Sequence, residues 1–156
     1  MSTDQIYYAI TGNRGVLKLT GTIRHPLSQR LSQAARRVFD GAGLRQVVVD
    51  LQEAFFIDST CLGLLAQVAL RSLELGLEPP ILVSTQREVT RLLQTTGLDR
   101  AFVVIDNPTE PAAGLIDATD LAEVSRGPDL KTVLEAHRAL CDLNENNRHL
   151  FQSVIE

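Results

Sequence analysis

The spacing of apolar residues changes period several times along the chain, and each change marks an element. Ile6 to Thr11 predicts a first strand. Gly12-Asn13-Arg14-Gly15 is turn chemistry, with two glycines available for positive φ. Val16 to Thr20 alternates apolar and polar residues and predicts a second strand that completes a hairpin. His25-Pro26 marks a turn, with Pro26 placed to open a helix. Leu27, Leu31, Ala34, Ala35 and Val38 then recur at helical spacing, opposite a face of Gln29, Arg30, Gln33, Arg36 and Arg37, and Gly41 and Gly43 end the helix. Val47-Val48-Val49 is an unbroken β-branched run, as in a strand covered on both faces. A long apolar helix follows from Ser59 and ends at Gly76. Ile81-Leu82-Val83 predicts a further buried strand after Pro79-Pro80. Thr85-Gln86-Arg87-Glu88 fits a capping box, and Val89, Leu92 and Leu93 form the apolar face of a helix closed by Gly97. Phe102 to Ile105 predicts a last strand.

The predicted order is ββαβαβαβ. Strands alternating with helices point to a mostly parallel sheet with right-handed crossovers, to which the opening hairpin adds an antiparallel element. The pattern then weakens. Asp106 to Asp129 carries six acidic residues, one basic residue and three prolines, and reads as an exposed connector with at most a short helix within Ala113–Val124. From Leu130 to Ile155 a helical stripe returns: Leu130, Val133, His137, Leu140, Asn144, Asn147, Phe151 and Val154. This division gives a domain over residues 1–106, an acidic connector over 107–129 and a C-terminal helix over 130–156. The helix either docks on its own domain or forms a dimer seam, with Asn144 and Asn147 fixing the register.

Composition narrows the partners. Tryptophan is absent and aromatic residues make up 4% of the chain, so the core is built from Leu, Val, Ile and Ala. The formal net charge of −4 argues against direct nucleic-acid binding. No apolar stretch approaches membrane-spanning length, and the first residues lack a basic region followed by an apolar one, so the expected compartment is the cytoplasm. Cys61 and Cys141 lie within apolar patterns and read as small core residues in a reducing environment.

The candidate chemistry sits at the start of the helix after Val47–Leu51. Asp58, Ser59 and Thr60 are all good first-turn residues, and plain capping is the simplest use for them. Three in a row exceed what one helix start requires. The helix also carries an organised polar stripe of Thr60, Gly63, Gln67, Arg71 and Glu74, with Leu62, Leu65, Ala66, Ala69 and Leu73 opposite. A hydroxyl at the top of an exposed stripe is reachable by another protein, and Gly63 would let a partner's backbone approach closely. Such a hydroxyl can also carry phosphate, since helix N-termini favour anions.

Val49-Asp50-Leu51 followed by Ile57-Asp58-Ser59-Thr60-Cys61-Leu62-Gly63, together with the element order over about Ile6–Ile105, resembles the STAS domain, and within it the bacterial anti-sigma factor antagonist group. That group shows Asp-Ser-Ser/Thr-Gly-Leu-Gly at the start of its second helix. The resemblance implies an α/β STAS-type sandwich, here with a C-terminal helical extension. It implies a non-enzymatic regulator that binds an anti-sigma factor/serine kinase of the HATPase type in its unphosphorylated form and releases a sigma factor. Phosphorylation switches it off and a serine phosphatase resets it. Ser59 is the implied acceptor, with Thr60 the fallback. Asp58 orients the hydroxyl, and Gly63, Gln67 and Arg71 complete the partner surface. No cofactor is implied for this chain, as ATP and metal belong to the partner. Cys61 stands where the group often has Gly.

Other constellations carry less. His137 and Cys141 stand four apart on one helix, but no carboxylate cluster joins them to make a metal site. Gly12–Gly15 lacks a phosphate-loop Lys-Ser/Thr. Asp50 and Glu53 flank a predicted loop before Phe55, with no base and nucleophile beside them. Two alternatives to the antagonist reading are a STAS subunit of a lipid-trafficking or transporter complex, contacting an ATPase without phosphorylation, and a scaffold assembled through the C-terminal helix.

Overall fold

The computed structural model describes residues 4–110, 112–121, 130–143 and 147. Strands β1 (Gln5–Thr11) and β2 (Arg14–Ile23) form the expected hairpin, closed by Gly12 at φ +65°. Helix α1 (Ser28–Phe39) follows a short 3-10 turn that begins at His25 and contains Pro26. Strand β3 (Gln46–Ile57), helix α2 (Ser59–Glu74), strand β4 (Ile81–Val83), helix α3 (Arg87–Thr96), a single turn α4 (Leu98–Ala101) and strand β5 (Val103–Ile105) come next. The six-stranded sheet has the order β5-β4-β3-β2-β1-β6, where β6 is Ile116–Asp117.

Strands β2 to β5 are parallel to one another and step across the sheet in one direction. Right-handed crossovers therefore put α1, α2 and α3 on the same face. One cross-strand row on that face is Leu17, Val49 and Leu82, all fully buried. Leu31, Val38, Leu65, Val89 and Leu93 close over it from the helices. Helix α5 (Leu130–Leu143) forms a third layer by packing on α2.

Three local expectations change. The loop expected around Asp50 and Glu53 is strand: β3 runs unbroken for 12 residues. Two register shifts against β2 place extra residues on β3, which returns Ala54 and Ile57 to the interior. Asp50 accepts from the Gln52 amide at 3.0 Å and Glu53 pairs with Lys18 at 2.6 Å, so both are structural. The capping box at Thr85 does not form, because α3 starts at Arg87 with Gln86 at its cap position and without a side-chain cap bond. Gln86 instead donates to the Gln52 carbonyl at 3.1 Å and ties the helix start to β3. Finally, Leu73 is 77% exposed rather than inward, because Leu65, Ala69 and Ser72 hold the inner line of α2.

The acidic stretch also contributes to the sheet. Ile116 and Asp117 pair with Tyr8 and Tyr7, and Ala118 is buried in the 3-10 turn that follows, the short helical piece foreseen within Ala113–Val124. Residues 122–129 lie outside the described residues, as do Asn144, Phe151 and Val154 of the C-terminal stripe.

Gly15 allows α1 to sit close to the hairpin. A Cβ there would lie 2.2 Å from Val38 Cγ1, the branched and buried end of a rigid side chain. Gly15→Ala is expected to destabilise the protein by roughly 1–3 kcal/mol. Urea unfolding would show this as a lower midpoint with an unchanged slope.

Candidate functional site

The site is built where β3 ends and α2 begins. The Asp58 amide donates to the Ile23 carbonyl at 2.9 Å, which pins the end of β3 to β2. Asp58 has an extended backbone and is the N-cap of α2: its Oδ1 accepts from the Cys61 amide at 2.9 Å. Its second oxygen lies 3.7 Å from Nδ1 of the exposed His25. Of the three cap-competent residues, Asp58 alone caps. Ser59 is thereby left at the first helical position with its hydroxyl available for another use, in the turn where amide groups have no intrahelical acceptor.

Cys61 points inward. Its thiol approaches the Arg24 carbonyl at 3.6 Å. Burial foremost, and then the Asp58 carboxylate, push the thiol well above the ordinary range, so it is held protonated. Cys61 fits the core without disturbing the cap.

The polar stripe of α2 is not open along its length. Thr60 and Gly63 are buried, Gln67 is half-buried, and only Arg71 and Glu74 at the far end face solvent, 3.7 Å apart. Helix α5 accounts for the closure at Gly63. A Cβ on Gly63 would lie 2.2 Å from the Ala136 carbonyl oxygen and 2.6 Å from the Ala136 Cβ. The glycine does permit a close backbone approach, and the backbone is the chain's own.

One helical turn earlier, the Ser59 Oγ lies 2.9 Å from Nε2 of His137, a residue only 3% exposed. His137 Nδ1 lies 2.7 Å from the Val133 carbonyl, which can only accept, so Nδ1 carries a proton. In the neutral ring Nε2 is then an acceptor, and the Ser59 hydroxyl donates to it. Ser59 is half-buried.

The His137–Cys141 pair separates in the fold. His137 faces Ser59, and the Cys141 thiol approaches the Asn147 carbonyl at 3.7 Å. Asn147 donates to the carbonyls of Thr96 at 2.6 Å and Leu140 at 2.8 Å. These bonds tie Asn147 to the ends of α3 and α5. Among the described residues no group of three His, Cys, Asp or Glu side chains is placed to hold a metal ion. No helix among them is long and apolar enough to cross a membrane.

Two features of the site escaped the sequence reading. Phe55 and Phe56, near the end of β3, are 58% and 41% exposed, and Arg24 stacks over the Phe56 ring at 5.8 Å. A run of apolar residues ending a strand gives no sign of facing outward when bulges reset its alternation. A groove of about 450 Å³ also lies between α1 and α2, lined by Arg36, Phe39, Leu64, Gln67 and Arg71 and rimmed by Glu135 of α5.

The family model described as "Mlab, STAS domain" matches residues 6–106. The chain belongs to the STAS domain family. The α5 helix lies beyond the matched STAS segment. Among solved STAS-like folds, the chain is similar to the protein TM1081, determined by NMR, at 23% identity and a TM-score of 0.56, covering 64% of this chain and 79% of that one. It is also similar to the anti-sigma factor antagonist SpoIIAA in its unphosphorylated form, at 17% identity and a TM-score of 0.52, covering 68% and 90%. Both likenesses concern the fold of the STAS unit.

Removing the cap isolates its contribution. Asp58→Ala is expected to cost about 0.5–2 kcal/mol, while Asp58→Asn, which retains an acceptor oxygen, stays within a few tenths of that scale from the parent. Thermal melts of the two variants side by side check the order.

Proposed function

We propose that this chain is an anti-sigma factor antagonist switched by phosphorylation of Ser59. Unphosphorylated, it binds an anti-sigma factor that is also a serine kinase of the HATPase type, and so frees a sigma factor. The kinase phosphorylates Ser59, the complex ends, and a serine phosphatase restores the free hydroxyl. The protein acts in the cytoplasm as a binding regulator without catalysis of its own.

The observation that carries this reading is the position of Ser59: first in α2, with Asp58 as the cap, so that its hydroxyl is not needed to cap the helix. A phosphate here adds about −1.5 to −2 charges and three acceptor oxygens. The helix dipole and the first-turn amides favour that charge within the domain. A partner packed over the helix would have to bury it, which costs several kcal/mol without a compensating cation. The modified protein stays folded and loses its partner. Asp58, Gln67 and Arg71 lie along the surface this reading assigns to docking, with Gly63 beneath α5, and the exposed Phe55 and Phe56 extend it with apolar area of the kind that anchors protein interfaces. Thr60 is buried and so is the weaker acceptor.

A second reading is a STAS subunit of a lipid-trafficking or transporter complex that meets an ATPase through the same helix without phosphorylation; it shares with the first only the STAS family. The two part on the serine. Capture from the native cell with Ser59→Ala and Ser59→Asp is expected to recover a kinase with the first variant and to lose it with the second, by about a hundredfold or more in affinity, as two steps of 1.4 kcal/mol imply. Phosphate transfer from the captured kinase should reach the parent protein and spare Ser59→Ala. Equal capture of one ATPase by both variants overturns the switch and leaves the subunit reading.

A further inference from the structure

We propose that α5 is an autoinhibitory lid: it occupies the outer face of α2, so kinase and partner reach Ser59 only when the helix lifts away. The inference rests on the docking role of α2 given above and adds a layer of control to it.

Three observations carry it. The first is exclusion. At Gly63 the backbone of α5 comes so near that a single added carbon would overlap it, and no second chain can use that surface at the same time. The second is the bond at the acceptor itself. The Ser59 Oγ lies 2.9 Å from Nε2 of the buried His137, so α5 covers the acceptor oxygen from that side. The third is the make-up of the contact. Of the described α5 residues, Ala136, Ala139, Leu140 and Cys141 are buried with His137, and only Leu140 is a large apolar side chain. With Leu143 partly buried beside Leu140, this contact still buries fewer large apolar side chains than a core helix does, so releasing α5 costs less than releasing α2. A core helix such as α2, with Leu62, Leu64, Leu65 and Val68 buried, could not leave on those terms.

The consequence is quantitative. When only the open fraction binds, the apparent affinity falls by that fraction, and any change that weakens the lid raises affinity in proportion until the open form dominates. The lid lies outside residues 6–106, so it is an addition to the STAS unit rather than part of it.

The test keeps the full chain. In a Ser59→Cys background, the rate of N-ethylmaleimide addition at position 59, read by peptide mass spectrometry, reports the lid without any partner. Ala136→Arg should force α5 off Gly63, and His137→Ala should weaken it without adding bulk. The expected result is a rise of more than about tenfold in labelling for Ala136→Arg, with a smaller rise, about three- to tenfold, for His137→Ala. Cooperative melting of both variants shows that the domain remains folded. With Ser59 restored, Ala136→Arg should raise kinase capture and phosphate transfer by a similar factor. Unchanged labelling in both variants overturns the lid. Faster labelling with unchanged capture also overturns it, making α5 a cover without control. The switch reading fails separately, when Ser59→Ala and Ser59→Asp bind alike.

Discussion

Helix α2 is buried from two sides, and that double burial constrains the rest of the molecule. Its inner line, through Leu65 and Ala69, packs on the parallel strands, while Gly63 receives the backbone of α5. A helix in this position must be apolar around most of its circumference, and α2 is. A mid-helix glycine costs about 1 kcal/mol relative to alanine. Here the cost is offset by a contact that no residue with a Cβ could make. The position of Gly63 therefore decides which element can lie on α2, and how near.

The same constraint locates the candidate hydroxyl. Strand β3 is pinned to β2 through the Asp58 amide, and two bulges bring its end to the right face. Asp58 then caps the helix, leaving the next residue spare. Each step is ordinary local chemistry: a bulge, a cap, a first-turn hydroxyl. Their order puts one unassigned hydroxyl in the field of a helix N-terminus, on the helix that also holds α5.

Period and punctuation made most of the sheet and helix order readable. The β-branched run at Val47–Val49, the closing Gly97 and the turn at Gly12 correspond to a parallel strand, a left-handed helix end at φ +79° and a hairpin. What escaped depends on three-dimensional partners. The stretch from Asp50 to Glu53, before Phe55, looked like loop because bulges break alternation without leaving a compositional mark. Thr85 and Glu88 had capping-box spacing, yet Gln86 took the cap position because its side chain reaches β3. At the site, Asp58, Ser59 and Gly63 stood out from the sequence, but their environment did not. The polar stripe of α2 implied solvent, and the stripe of α5 implied either its own domain or a dimer. Nothing in either pattern says that the two faces meet. His137 was weighed with Cys141 for a metal, while its ring in fact lies against a serine 78 positions away.

A lid and a phosphorylation switch on one oxygen have coupled effects that neither has alone. If docking requires α5 to leave, then α5 weakens docking by the same factor by which docking weakens α5. If a kinase needs the same open form, the lid slows phosphorylation along with binding and leaves their balance unchanged. On these two proposals, a signal acting on α5 would set how strongly the protein engages its circuit, whereas a signal acting on Ser59 would set the state in which it leaves. A phosphate on Ser59 would replace the hydroxyl proton with charged acceptor oxygens against the His137 ring, so the modification would change the contact between α2 and α5 as well as the charge at the docking face. Two barriers of different origin, one steric and one electrostatic, would guard the same helix in succession.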